Sequence, residues 1–189
     1  MSGAVRTMLS FRNFSAALLL AGAASWAQAD DKPSANKVLA LGDVAVSLDW
    51  SPNWQLESAA PKGMPGSIEF HAPDRMQMLT TLTPIGGTPG LTADEAMKAL
   101  VSKSSRQFEE QAVEKEIKLQ RISNGEAHGY YVCLTDKAPK PGEYKFLCQG
   151  MVSLRDLPIN FILLYNDGGK ADAARVLSAL KTIQIPAET

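Results

Sequence analysis

Residues Gly129 to Leu154 read GYYVCLTDKAPKPGEYKFLCQGMVSL. Two apolar, aromatic-rich runs flank Ala138-Pro139-Lys140-Pro141-Gly142, a pattern that predicts two strands around a turn. The chain's two cysteines, Cys133 and Cys148, lie one on each side of it. Setting them opposite each other fixes the register: Tyr131 faces Gly150, Val132 faces Gln149, Leu134 faces Leu147 and Thr135 faces Phe146. A tyrosine beside a strand glycine is a sensible pair, because the ring covers backbone that glycine leaves bare.

The start of the chain says which redox compartment to assume for those thiols. Arg6 and Arg12 form a positive n-region, Phe14 to Ala24 a short apolar core, and Ala27-Gln28-Ala29 a small-x-small cleavage pattern. Residues 1–29 therefore read as a secretory signal peptide cut after Ala29, and the mature protein as periplasmic or secreted. The apolar run falls short of the roughly 20 residues a spanning helix needs. In an oxidising compartment, two cysteines at facing strand positions are most simply a structural disulfide. Redox-active pairs usually occur as C-x-x-C at a helix start, a spacing absent here.

Composition narrows the partners. Losing Arg6 and Arg12 leaves 17 of 19 Lys and Arg against 20 Asp and Glu, a net charge of −3. That argues against nucleic acid or anionic lipid, which need a basic field. Residues 37–189 have the length of one domain, and 30–36 (DDKPSAN) read as a flexible leader.

Elsewhere the periodicities are clear. Val44, Val46 and Leu48 alternate as a strand, Ser51-Pro52-Asn53 turns the chain, and Trp54 to Glu57 extends. Ser67–His71 and Met76–Thr83 predict a hairpin around Ala72–Arg75. With a four-residue loop, His71 faces Met76 and Glu69 faces Met78. An amphipathic helix is expected over Ala93–Ala112, with Thr92 and Glu95 as a capping box and Ala93, Met97, Leu100, Val101, Ser104, Phe108 and Ala112 as its stripe. Lys115–Ile122 alternates as a strand. Pro158–Tyr165 is apolar on both faces, which places it inside the sheet, covered on both sides. Lys170–Thr182 predicts a closing helix.

The order of short hairpins and two helices predicts an α+β fold, a mostly antiparallel β-sheet with both helices packed on it. At this level the chain resembles the PsbP-like fold shared with the Ran-binding Mog family and the bacterial DcrB family. The resemblance lies in the strand Val44–Asp49 followed by Pro52-Asn53-Trp54, then a hairpin and long helix, the Gly129-Tyr130 strand, an apolar strand and a closing helix. It covers nearly all of residues 37–189 and implies an α/β/α sandwich. It also implies a binding or accessory protein of a larger assembly, with no functional residue carried over.

Catalytic motifs are hard to find. His71 and His128 are the two histidines, neither lies in a hydrolase-like context, and no G-x-S-x-G elbow occurs. The acid pairs Asp30-Asp31, Asp94-Glu95 and Glu109-Glu110 read as leader, helix start and solvated helix face. Gly86-Gly87-Thr88-Pro89-Gly90 precedes a helix, but Asp94 and Glu95 in its first turn would repel a phosphate. The expectation is therefore not an enzyme, and no cofactor is called for. The leading expectation is an exported binding protein whose partner is another envelope or secreted protein. Trp50, Trp54 and Met64 would be its contact patch if exposed. The alternatives are a Cu(I) site from His71, Met76 and Met78, on ligand softness, and an unrecognised hydrolase.

Overall fold

In the protein's computed structural model, residues 35–57, 66–86 and 90–186 are described. β1 (Ala35–Leu41) and β2 (Val44–Trp50) form an antiparallel hairpin. Its two-residue turn has Gly42 at φ +64°, a region glycine reaches without strain. β1 takes in Ala35 and Asn36, which the sequence reading assigned to the leader.

Seven further strands make one antiparallel sheet. They are β3 (Gln55–Leu56), β4 (Ile68–His71), β5 (Met78–Pro84), β6 (Gln120–Asn124), β7 (Ala127–Thr135), β8 (Phe146–Leu154) and β9 (Leu157–Tyr165), in the spatial order β3-β4-β5-β9-β8-β7-β6. The expected α+β class and antiparallel pairing hold. The β7–β8 register matches the one the cysteines imply, residue for residue, and Cys133 and Cys148 are bonded. β9, the strand apolar on both faces, lies at the centre of the sheet.

Directly paired residues share a face, so the registers sort every side chain. One face carries Phe70, Met78, Leu82, Tyr131, Cys148, Val152, Ile159, Phe161 and Leu163. It packs under the β1–β2 hairpin and helix α2 (Lys170–Thr182), whose Ala173, Val176, Ala179 and Leu180 point inward. The other face packs under α1 (Asp94–Ser105).

α1 differs from expectation at both ends. Its N-cap is Ala93, and no side chain caps it, so the Thr92–Glu95 box does not form. Instead the Thr92 carbonyl lies 3.0 Å from His128 Nε2 on β7. Regular α-helix stops at Ser105, followed by a 3₁₀ turn over Arg106–Phe108. The buried stripe is Met97, Val101 and Ser105, which leaves Leu100 38% exposed.

Candidate functional site

Trp50 and Trp54 do not form a surface. They are 6% and 5% exposed. Their rings meet edge-on at 5.5 Å, and each packs on Phe70, at 5.0 and 5.2 Å. Trp54 Nε1–H donates to Asp172 Oδ1 on α2 at 2.8 Å, so the Pro52 turn serves to seat this ring against the last helix. Met64 lies outside the described residues.

The expected His71–Met76–Met78 face is corrected by the register. His71 pairs with Leu79, Phe70 with Thr80 and Glu69 with Thr81. Relative to the expected pairing this is an odd shift of three residues, and an odd shift exchanges the two faces of a strand. Met78 therefore enters the core, fully buried, with the Thr80 hydroxyl 3.1 Å from its sulfur. Met76 stays in the turn, 36% exposed, while His71 lies on the opposite face from Met78. The longer turn comes from Asp74. Its Oδ1 accepts the Met76 N–H at 3.0 Å and its carbonyl accepts the Gln77 N–H at 2.9 Å, which keeps both residues out of the strand. Among the described residues, no group of three or more His, Cys, Asp or Glu is placed to hold a metal.

His71 belongs to a polar cluster at the sheet's β3–β4 margin. Its Nδ1 lies 2.6 Å from the Ala72 carbonyl and its Nε2 lies 3.4 Å from Glu57 Oε1. Arg75 bridges Glu57 and Glu69, and its own carbonyl accepts the Tyr144 hydroxyl at 2.9 Å. With its carboxylates tied to Arg75, this cluster acts as a rim.

The rim borders a feature the sequence reading missed. α1 is held at its start by residues of β6 and β7. Tyr130 donates to Asp94 Oδ2 at 2.6 Å and Arg121 lies 3.6 Å from Asp94 Oδ1. The bond to Asp94, then burial, raises the Tyr130 hydroxyl above its ordinary 10.0. Moored there, α1 covers β7 and β8. The same face continues across β9, β5 and β4 with no helix among the described residues packed on it.

That open half-face has an apolar floor. Leu164 and Leu79 form one row across β9 and β5, running from Leu147 beside Phe108 to His71. Ile162 and Thr81 form the next, ending at Glu69, and Asn160 and Thr83 a third. All these floor residues are half-buried. Where the floor meets α1 there is a hollow of about 190 Å³ walled by Ile85, Leu100, Val101 and Met151, with Gln149 and Asn160 at its base. Gln149 is 9% exposed, and its amide nitrogen reaches Ser104 and Ser105 only at 3.5 Å, a long contact. A second hollow of about 80 Å³ lies between Phe108, Leu134 and Leu147. The sequence did carry a signal for this surface. β9 was read as covered on both sides, yet Ile162 and Leu164 remain half-open, so their apolar character is more than the fold uses.

No protein-family model matches the chain, and no curated protein matches it. No helix among the described residues is long and apolar enough to cross a membrane.

Proposed function

We propose that the chain is an exported, non-enzymatic binding protein that holds another cell-envelope or secreted protein on the open half-face of its sheet. The observation that carries this reading is the uncovered pair Leu164 and Leu79 on β9 and β5, with Ile162 beside it. The uncovered strands β9, β5 and β4 together span roughly 14 Å at the usual strand spacing. A helix with its side chains is about 10–12 Å across. An apolar helix face of a partner therefore fits between α1 and the Glu57–Arg75–Glu69 rim. The hollow of about 190 Å³ beside Gln149 is smaller than the roughly 300 Å³ at which small-molecule pockets begin. It suits one large anchoring side chain. The α1–sheet–α2 order supports reading the arrangement as PsbP-like, and the Cys133–Cys148 bridge supports an oxidising compartment reached through cleavage after Ala29.

The test uses a photo-crosslinking residue at Leu79 in cells of the native host, with Leu79→Lys and Ile162→Lys as surface variants. Lysine stems can lie along an apolar floor, so folding survives. The expected result is one recurrent crosslinked envelope protein, and at least a tenfold loss of its co-purification with the double variant at unchanged melting temperature. Crosslinking only to abundant bystanders, or co-purification indifferent to both substitutions, overturns the proposal.

A further inference from the structure

Three of the four strand edges among the described residues are protected, and the fourth is open. β3 has two residues, too few to template another strand. On β6, the Gly125–Glu126 turn makes Asn124 and Ala127 the closing pair, so the outward positions are Arg121 and Ser123. Arg121, 62% exposed, charges that edge. The outer edge of β2 is covered by the chain after α2: Ser47 N–H donates to the Gln184 carbonyl at 2.7 Å, and Gln184 N–H donates back at 3.1 Å.

β1 has none of these devices. Its turn makes Leu41 and Val44 the closing hydrogen-bonded pair, so Leu39, Lys37 and Ala35 also bond inward to β2. The N–H and C=O groups of Ala40, Val38 and Asn36 point out of the hairpin. At the turn end, Gly42 N–H is taken up by the Gly66 carbonyl at 3.0 Å. From Ala40 to Asn36 no described residue pairs with the edge. The strand ANKVLAL holds no proline and no bulge. Its one charge, Lys37, lies 4.1 Å over the Trp50 ring. Val38, at 59%, is the most exposed large apolar side chain among the described residues.

We infer that β1 is the surface through which two copies of this chain associate, paired antiparallel edge to edge about a two-fold axis at Val38. The outward set Asn36, Val38, Ala40 is symmetric about Val38. A second β1 laid antiparallel therefore matches Asn36 to Ala40 and Val38 to Val38 with no offset. Ala35 then opposes Leu41, and Lys37 opposes Leu39, so no like charges meet. The valine pair is β-branched against β-branched, a favourable cross-strand contact. The result joins two hairpins into one four-stranded sheet. Seven residues a side bury less than the roughly 1,200 Å² of a standard interface, so the dimer is weak and exchanges freely.

Sedimentation of the purified chain from about 10 μM to about 1 mM is the first measurement, a range that brackets weak association. The dimer fraction rises with concentration. Val38→Lys places two ammonium groups face to face at the axis and returns the protein to monomer without lowering its melting temperature. In addition, Val38→Cys is joined by a short bismaleimide at least tenfold faster than Ala45→Cys, an exposed control on β2. A protein that stays monomeric throughout, a dimer that survives Val38→Lys, or equal linking of the two cysteine variants overturns the inference. The first of these outcomes points instead to an extended segment of a different protein on the same edge.

Discussion

Glu114 does more than its solvated sequence neighbourhood announces. It lies beyond the 3₁₀ turn that follows α1, and its two carboxylate oxygens accept the backbone N–H and the hydroxyl of Thr135, both at 2.8 Å. Together with the Val113 N–H to Thr135 carbonyl bond, this clamps the chain after α1 to the end of β7. Partial burial works against the charge, but the backbone and hydroxyl bonds from Thr135 outweigh it and hold Glu114 below its ordinary 4.5. A carboxylate with a depressed folded-state value stabilises the fold above its unfolded value, and that stabilisation is lost as pH falls through the folded value. Glu114→Gln keeps one acceptor and turns an amide toward the other donor. At pH 7 it should cost about 1 kcal/mol, discounted for solvent screening. Between pH 5 and pH 3 the native protein's stability should fall toward the variant's, and the two should converge at the acid end. Urea titrations of both proteins across that range check it. A gap that stays constant to pH 3 would show that the carboxylate charge contributes nothing.

At the scale of elements, the two hairpins of the large sheet show what makes a register legible. In β7–β8 the cysteines pin one pair, and every other pair follows. In β4–β5 nothing pins the pair. Asp74 holds Met76 and Gln77 in the turn, and Ala72 leaves the expected loop, its N–H donating to the Met78 carbonyl at 3.1 Å, so the register moves by three and the faces exchange. The same limit applies to Trp50 and Trp54. Their spacing around Pro52 is visible in the sequence, but burial depends on Phe70 and Asp172, which are distant along the chain. The open half-face was illegible for a similar reason: it depends on where α1 stops covering the sheet, and Asp94, Tyr130 and Arg121 set that. The Tyr131–Gly150 pair was legible, and the structure adds Phe161 on the glycine's other side. The two rings approach to 6.2 Å across it, although their strands are two spacings apart, about 9.6 Å. A Cβ on Gly150 would fall 2.4 Å from the Tyr130 carbonyl and 2.5 Å from Tyr131 Cβ. Gly150→Ala should therefore push β7 away from β8 and cost about 1–3 kcal/mol as overpacking. Thermal denaturation measures this. A variant as stable as the native protein would mean that the rings do not meet over the glycine.

For the whole molecule, the decisive question about Cys133–Cys148 is whether the bridge can exchange without unfolding. Cys133 is half-buried and borders an open hollow lined by Glu114, Lys115 and Lys118, so an attacking thiolate can approach from that side. Attack on the Cys133 sulfur expels the Cys148 sulfur as a thiolate. Cys148 is 0% exposed, in the core shared with Leu163 and Val152. A thiolate formed in apolar surroundings is a poor leaving group, because burial disfavours the charged form. Attack on Cys148 itself requires the core to open. Both routes therefore wait for global unfolding, and the bridge behaves as a structural one. Without it, the unfolded chain regains the freedom of the loop between residues 133 and 148, worth roughly 3 kcal/mol in the chain-entropy model. The expected result is that a dithiol in native buffer leaves both cysteines unreactive to an alkylating mass tag. Tagging should accelerate with urea along the same curve as loss of tryptophan fluorescence, since Trp50 and Trp54 lie in that core. The Cys133→Ala/Cys148→Ala protein should unfold at correspondingly lower urea, with its m-value raised by a more expanded unfolded chain. Rapid tagging at zero urea, with fluorescence unchanged, would defeat the structural reading and make the pair a redox centre working within the folded protein.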